Sequence, residues 1–148
     1  MTSSNTYYDT PFAVTITPSA TSSKILLMGH IMGEGNFDDY FMLWRLNRAI
    51  SGGSTTAIQA ASAGNRPLGI SVAPSGFYAS NADSTPTVIN FAGLLDSPST
   101  TSAITYTFQI NCTQASSKTF FYNQTKNTSD AIDNERGLSW ITAQEISG

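Results

Sequence analysis

The chain contains a single histidine, His30, which lies in the apolar stretch KILLMGHIMG at residues 24–33. A nucleophilic triad needs a histidine base beside a serine or cysteine, so such chemistry would have to use this residue. His30 lies inside a predicted strand, where a lone histidine is more typical of a core or an interface. One histidine and one cysteine also fall short of the ligand set that zinc takes. The sequence therefore predicts no catalytic histidine, no metal site and no cofactor.

A short acidic stretch, EGNFDD at residues 34–39, offers two weaker kinds of chemistry. Paired carboxylates hydrolyse glycosides, and alternating oxygen ligands such as Glu34, Asn36 and Asp38 are typical of calcium loops. Neighbouring strand residues point to opposite faces, so the adjacent Asp38 and Asp39 would not converge on one substrate. We interpret EGNFDD as an exposed, solvated loop and predict that the protein is not an enzyme.

The stretch GFYASNAD at residues 76–83 combines aromatic rings with hydrogen-bonding side chains. Rings of this kind pack against sugars, while asparagine and aspartate bind sugar hydroxyls. The candidate receptor or partner residues are Phe77, Tyr78, Asn81 and Asp83. The alternative is that the two rings only anchor a long loop to a sheet, and the sequence leaves the conformation of residues 54–83 unassigned.

The composition excludes several classes of partner. Charged residues make up 11% of the 148 residues, and the formal net charge is −3. Nucleic-acid binding requires clustered lysine and arginine, whereas the seven basic residues here are scattered. The amino terminus has no signal-peptide pattern and no apolar run reaches about 18 residues, which predicts synthesis in the cytoplasm without membrane insertion. The length predicts one domain, residues 1–148.

Turn residues recur at short intervals and helical periodicity is hard to find, which predicts an all-β chain. In the clearest strand, SAITYTFQINCT, alternate residues form one apolar face: Ile104, Tyr106, Phe108, Ile110 and Cys112. We expect Cys112 to be a small buried side chain. Further strands are predicted in FAVTITP, KILLMGHIMG, YFMLWRLNRAI, TVINFAGLLDSP, KTFFYNQT and LSWITAQEI. This series predicts an antiparallel β-sandwich or jelly roll.

Two of these strands, KILLMGHIMG and YFMLWRLNRAI, carry large apolar side chains on both faces. In the first, Ile25, Leu27 and Ile31 would face one side, and Leu26, Met28 and Met32 would face the other. A strand that is apolar on both faces has to be covered twice, and cyclic self-association covers the second face in every subunit. The candidate subunit-interface residues are Leu26, Met28, His30, Met32, Phe41 and Leu43.

The order of several motifs resembles the carboxy-terminal domain common in tail-fibre and other virion proteins of bacteriophages. The motifs are YYDTPFAVTITPSATSSKILLMGHI, then LNRAI followed by glycines, then LLDSPSTTSAITYTFQI, and a terminal strand ending in EI. The most specific parts are TITPSATSSKIL and LDSPSTTSAITY, and the order covers nearly the whole chain.

This resemblance implies a jelly roll of the tumour-necrosis-factor type that assembles as a homotrimer at a fibre tip or on the virion surface. It implies structure and adhesion rather than catalysis, so host-surface attachment through a glycan or protein is the leading function. Capsid decoration or tail assembly, through contacts with other virion proteins, is one alternative. A jelly-roll lectin or carbohydrate-active enzyme is another, with Glu34, Asp38 and residues 76–83 as its candidates. Fibre domains of this kind follow a long shaft, so we expect a stand-alone virion protein or a separate tip.

Overall fold

A computed structural model describes residues 6–36, 42–72, 84, 86–113 and 117–148. These residues form strands and turns without a helix, and every strand pair is antiparallel. The nine strands are β1 Tyr8–Ile16, β2 Lys24–Gly35, β3 Met42–Ile50, β4 Thr55–Ile58, β5 Ser71–Val72, β6 Thr87–Asp96, β7 Ile104–Cys112, β8 Phe120–Tyr122 and β9 Trp140–Ile146. The all-β prediction is confirmed, and β4 and β5 lie in the segment that the sequence left unassigned.

The strands form two sheets that pack face to face as a β-sandwich. In the β7 sheet the order is β1-β7-β3, and β4 and β5 both pair with β3. In the β2 sheet β6 lies on one edge of β2, and β8 and β9 lie end to end along the other edge. The pairs β1–β7, β2–β6 and β3–β5 are nested within one another along the chain. Nesting of this kind is the connectivity that winds a jelly roll.

The core is built from alternating strand residues, as the sequence predicts. The apolar face of SAITYTFQINCT, Cys112 included, is buried, and Ile25, Leu27 and Ile31 from β2 lie opposite it. Three rings join the two sheets at the centre. The centroid of Trp44 lies 5.1 Å from that of Phe91 and 5.5 Å from that of Phe108. Packing of these rings supplies contact energy beyond the burial of their area.

A β-bulge in β6 controls which of its side chains face the core. Leu27 pairs with Leu94, but two residues further along β2 Gly29 pairs with Phe91, so β6 has one extra residue there. Gly93 takes a φ of +76°, a conformation that suits glycine, at this point. As a result Phe91 and Leu94 both contact the core, and Leu95 points outward.

A polar cluster closes one end of the sandwich. The Arg48 Nη1 atom donates to both carboxylate oxygens of Asp96, at 2.8 and 3.1 Å, across the two sheets. The Tyr106 hydroxyl donates to Asp96 Oδ2 at 2.8 Å. Burial, together with this hydrogen bond to an ionised acceptor, raises the pKa of Tyr106 above its ordinary value.

We predict that the Tyr106 hydroxyl makes stability depend on alkaline pH. The unfolded chain releases this proton from about pH 10 upward, whereas the folded chain retains it to higher pH, so stability falls as pH rises beyond that point. Tyr106→Phe is expected to cost about 1 to 2 kcal/mol at neutral pH. In urea unfolding the difference between the two proteins should shrink above about pH 10. A difference that stays constant up to the highest measurable pH would contradict this assignment.

Two glycines of β2 make room for core rings. A Cβ added at Gly29 would overlap the Phe91 ring, and one at Gly33 would overlap the Phe121 carbonyl oxygen and the Phe120 ring. Both glycines lie on the inner face of β2, in line with Ile25, Leu27 and Ile31. The inner face of β2 therefore alternates between side chains that fill the core and backbone that admits a ring from the neighbouring strand.

We predict that Gly29→Ala destabilises the protein by about 1 to 3 kcal/mol, because the added methyl group overpacks the core. Chemical denaturation of Gly29→Ala, Phe91→Leu and the double variant provides the measurement. The smaller leucine side chain in place of Phe91 should accept the methyl group, so the double variant should lose less than the sum of the single losses. Strict additivity would show that the Phe91 ring is not what restricts residue 29.

Candidate functional site: the outer face of the β2 sheet

The β2 sheet presents an apolar surface on the side that faces away from the core. Three adjacent strands, β2, β6 and β9, form this surface. Leu26 of β2 pairs with Leu95 of β6, and His30 of β2 pairs with Trp140 of β9. Side chains alternate along a strand, so the residues of these strands that do not face the core point outward. We call this surface the β2 outer face. It consists of Leu26, Met28, His30, Asn90, Leu95, Trp140, Thr142, Gln144 and Ile146.

The β2 outer face exposes several large apolar side chains to solvent. Leu95 is 50%, Trp140 49% and Ile146 38% exposed, and Leu26 and Met28 are half-buried. Lys24 marks one end of the face, and the buried Glu34 lies beyond the other. Between them, none of the described residues of the three strands places an acidic, lysine or arginine side chain on the face. Large apolar side chains without ionised groups are typical of the buried centre of a protein interface.

His30 is held firmly within this face. Its Nδ1 atom lies 2.7 Å from Oδ1 of Asn90, and its ring stacks on Trp140 with 6.3 Å between centroids and 15° between planes. Within the described part of the chain, no group of three or more histidine, cysteine, aspartate or glutamate residues could hold a metal ion. The contacts of His30 are thus those of a side chain that orders the surface of the sheet.

The structure brings together only part of the predicted interface set. Leu26, Met28 and His30 lie side by side on the β2 outer face. Met32 is only 7% exposed, and a Cβ added at Gly137 would lie 3.0 Å from its sulfur, so a segment of the same chain covers it. Leu43 lies on the outer face of the β7 sheet, on the opposite side of the sandwich, beside Gly69. Phe41 lies outside the described residues.

Sequence reasoning missed the residues that β6 and β9 contribute to the β2 outer face. Leu95, Trp140 and Ile146 are the most exposed large apolar residues there. The alternation in LSWITAQEI contains the signal, since Ile141 and Ala143 pack on the core while the residues between them point outward. That alternation does not reveal that β9 pairs with β2. The receptor-loop candidates Phe77, Tyr78, Asn81 and Asp83 lie outside the described residues, as do Asp38 and Asp39.

The interpretation of Glu34 as an exposed loop residue is wrong. β2 continues through Gly35, Glu34 pairs with Phe121 of β8, and its side chain is fully buried. Its Oε2 atom accepts the backbone N–H of Lys126 at 2.6 Å. The chain that follows β8 therefore folds back over the end of β2, and the hydrogen bond to Glu34 holds it there. This charge-assisted hydrogen bond gives Glu34 a structural contact that its sequence position does not indicate.

We predict that Glu34→Ala lowers the free energy of unfolding by about 1 to 3 kcal/mol, because the Lys126 N–H loses its carboxylate partner. Hydrogen exchange of the amides near Lys126 should accelerate as well. Glu135→Ala, which removes an exposed carboxylate from the same segment, is the matched control and should change stability by less than about 0.5 kcal/mol. Equal effects of the two variants would contradict the proposed contact.

Comparisons with known proteins leave the function to be argued from this geometry. No protein-family model, no curated protein and no solved structure matches the chain. No helix among the described residues is long and apolar enough to cross a membrane. The β2 outer face, with its exposed large apolar side chains, is accordingly the main functional observation.

Proposed function

We propose that this chain is a homotrimeric structural protein of the bacteriophage virion exterior, made in the host cytoplasm, and that it forms a fibre tip that attaches the particle to the host surface. The observation that carries the proposal is the β2 outer face. Its strand KILLMGHIMG belongs to the motif order that resembles the phage domain. In this proposal the protein acts by binding and has no catalytic role.

The energetics of the β2 outer face support self-association. Covering several hundred Å² of apolar surface per subunit contributes several kcal/mol, at about 25 cal/mol per Å², before the costs of ordering are subtracted. The exposed side chains of Leu95 and Trp140 lie on either side of Met28, so a neighbouring subunit would bury all three strands together. A cyclic assembly gives every subunit the same covered face. The number of subunits, three, comes from the resemblance to the phage domain.

A second candidate is a capsid-decoration or tail-assembly protein that binds other virion proteins. The observation that favours it lies in the segment after β8, where Ile132 and Leu138 are largely exposed. Apolar side chains at this place lie outside the β2 outer face, so a trimer built through that face would leave them free for a different partner. Density for the protein on a capsid lattice would select this candidate over the fibre tip.

We predict that the chain behaves as a trimer of three 15.8 kDa subunits in light scattering at micromolar concentration. Met28→Asp should abolish the trimer, since an unpaired charge buried at an apolar interface costs several kcal/mol. Val72→Asp, which alters a 53% exposed side chain on the other sheet, is the matched control and should remain trimeric.

Circular dichroism separates loss of assembly from loss of the fold. If Met28→Asp fails to fold, Leu95→Ser removes an exposed apolar group of the same face and should weaken the trimer instead. A wild-type chain that is monomeric at micromolar concentration would refute the proposed assembly. A Met28→Asp trimer with an unchanged melting temperature would refute the proposed interface.

A further inference from the structure

A cavity of about 270 Å³ lies on the outer side of the β7 sheet. Arg45 and Asn111 alternate with the core residues of β3 and β7, so both point away from the core. Residues 59–70 cross this side of the sheet and complete the cavity. Its main lining residues are Tyr7, Arg45, Gln59, Arg66, Leu68 and Asn111.

Arg45 is positioned before any ligand arrives. Its Nε atom donates to Gln109 Oε1 at 2.7 Å, and its Nη1 atom donates to Gln59 Oε1 at 2.5 Å. The guanidinium carbon lies 3.9 Å above the centre of the Tyr7 ring, and the Tyr7 hydroxyl donates to the Leu68 carbonyl oxygen at 2.6 Å. No described residue accepts a hydrogen bond from Arg45 Nη2. A rigid guanidinium with donors to spare suits a carboxylate.

The partial burial of Arg45 favours the binding of an anion. Desolvation lowers the pKa of Arg45, and the nearby Tyr7 and Asp9 offset this effect only in part. The one ion pair among the described residues joins Arg48 and Asp96, so Arg45 has no carboxylate in direct contact. An anionic ligand would restore the interactions with water that the guanidinium has lost.

Asn111 adds a requirement for a hydrogen-bond donor. Its side chain is 1% exposed, and no described residue donates to its buried Oδ1 atom. A buried acceptor without a donor is costly, and such groups in native proteins call for an explanation. Oδ1 has almost no accessible surface, so a ligand hydroxyl group reaches it only when the Asn111 amide turns toward the cavity, and acetate or an oxyanion without a proton has no donor to offer.

Arg66 supplies a second positive charge at the mouth of the cavity. Its side chain is exposed and makes no hydrogen bond or ion pair with a described residue. Two guanidinium groups around one small cavity stand out in a chain whose formal net charge is −3. The volume lies below the range of about 300 to 1,000 Å³ that drug-sized ligands occupy, which limits the bound group to about one sugar ring.

We propose that this cavity binds an acidic sugar residue of the uronic acid type, with its carboxylate on Arg45 Nη2 and Arg66. A hydroxyl group of the sugar donates to Asn111 Oδ1 once that amide has turned toward the cavity. The inference rests on the proposed attachment function and deepens it by naming the ligand class. A neutral sugar would leave both guanidinium groups without an anion. The Tyr7 ring is covered on one face by Arg45, so charge and hydrogen bonds, rather than ring stacking, select the ligand.

The test is a titration of the ¹⁵N-labelled full chain with D-glucuronate, D-glucose and acetate, followed by NMR. Glucuronate should produce saturable shifts at the Asn111 side-chain amide in the millimolar range, and the two partial ligands should bind at least about tenfold more weakly. Arg66→Gln should weaken glucuronate binding about tenfold or more. Arg136→Gln, the same charge change at an exposed position outside the cavity, is the matched control and should leave the affinity unchanged.

Two results would overturn the inference: the absence of a saturable glucuronate shift, or equal losses for Arg66→Gln and Arg136→Gln. The outcome is separable from that of the assembly measurement. A monomer that binds glucuronate would support the cavity and refute the proposed trimer. A trimer that does not bind glucuronate would refute the cavity and support the proposed assembly.

Discussion

The packing of the Phe91 ring over the backbone of Gly29 is the contact on which the rest of the sandwich depends. It lets β6 pair with β2 while its ring reaches Trp44 of the opposite sheet, at 5.1 Å between centroids. A side chain at position 29 would separate the sheets or push the ring out of the core. Because β2 carries partners on both of its edges, any shift in this strand would move β6, β8 and β9 together.

The two outer surfaces of the sandwich differ in chemistry. The β2 outer face exposes large apolar side chains, and its described residues include no acidic, lysine or arginine side chain. The outer side of the β7 sheet is polar, and Gln109 links Arg45 to Asp9 through hydrogen bonds of 2.7 and 2.6 Å. One side therefore suits contact with a second subunit and the other suits a small polar ligand. A sandwich can serve both purposes because its core separates them.

The sequence is enough to predict the local features of this fold. Alternation identifies the inner face of β7 and both faces of β2, since the direction of a side chain in a strand depends only on its neighbours along the chain. The pairing of strands is a property of residues far apart in sequence, so Leu43 and Met28 look alike in the sequence although they lie on opposite sides of the molecule. Glu34 illustrates the same limit, because its partner, the N–H of Lys126, lies 92 residues away. The cavity beside Arg45 depends on residues 59–70, which have no strand pattern to place them.

The backbone conformation of Gly93 decides which side chains in the second half of β6 face the core. Upstream of it Phe91 faces the core, and downstream of it Leu94 and Asp96 face inward while Leu95 faces out. If β6 kept all its residues but lost the bulge, the parity of the strand end would reverse, turning Leu95 into the core and Asp96 toward the β2 outer face. Substitutions in this stretch alter one contact at a time. Gly93 is the exception, because loss of its positive φ would act on the whole strand end. Deletion of the extra residue, in contrast, would restore regular alternation and leave the inside and the outside of the sheet unchanged.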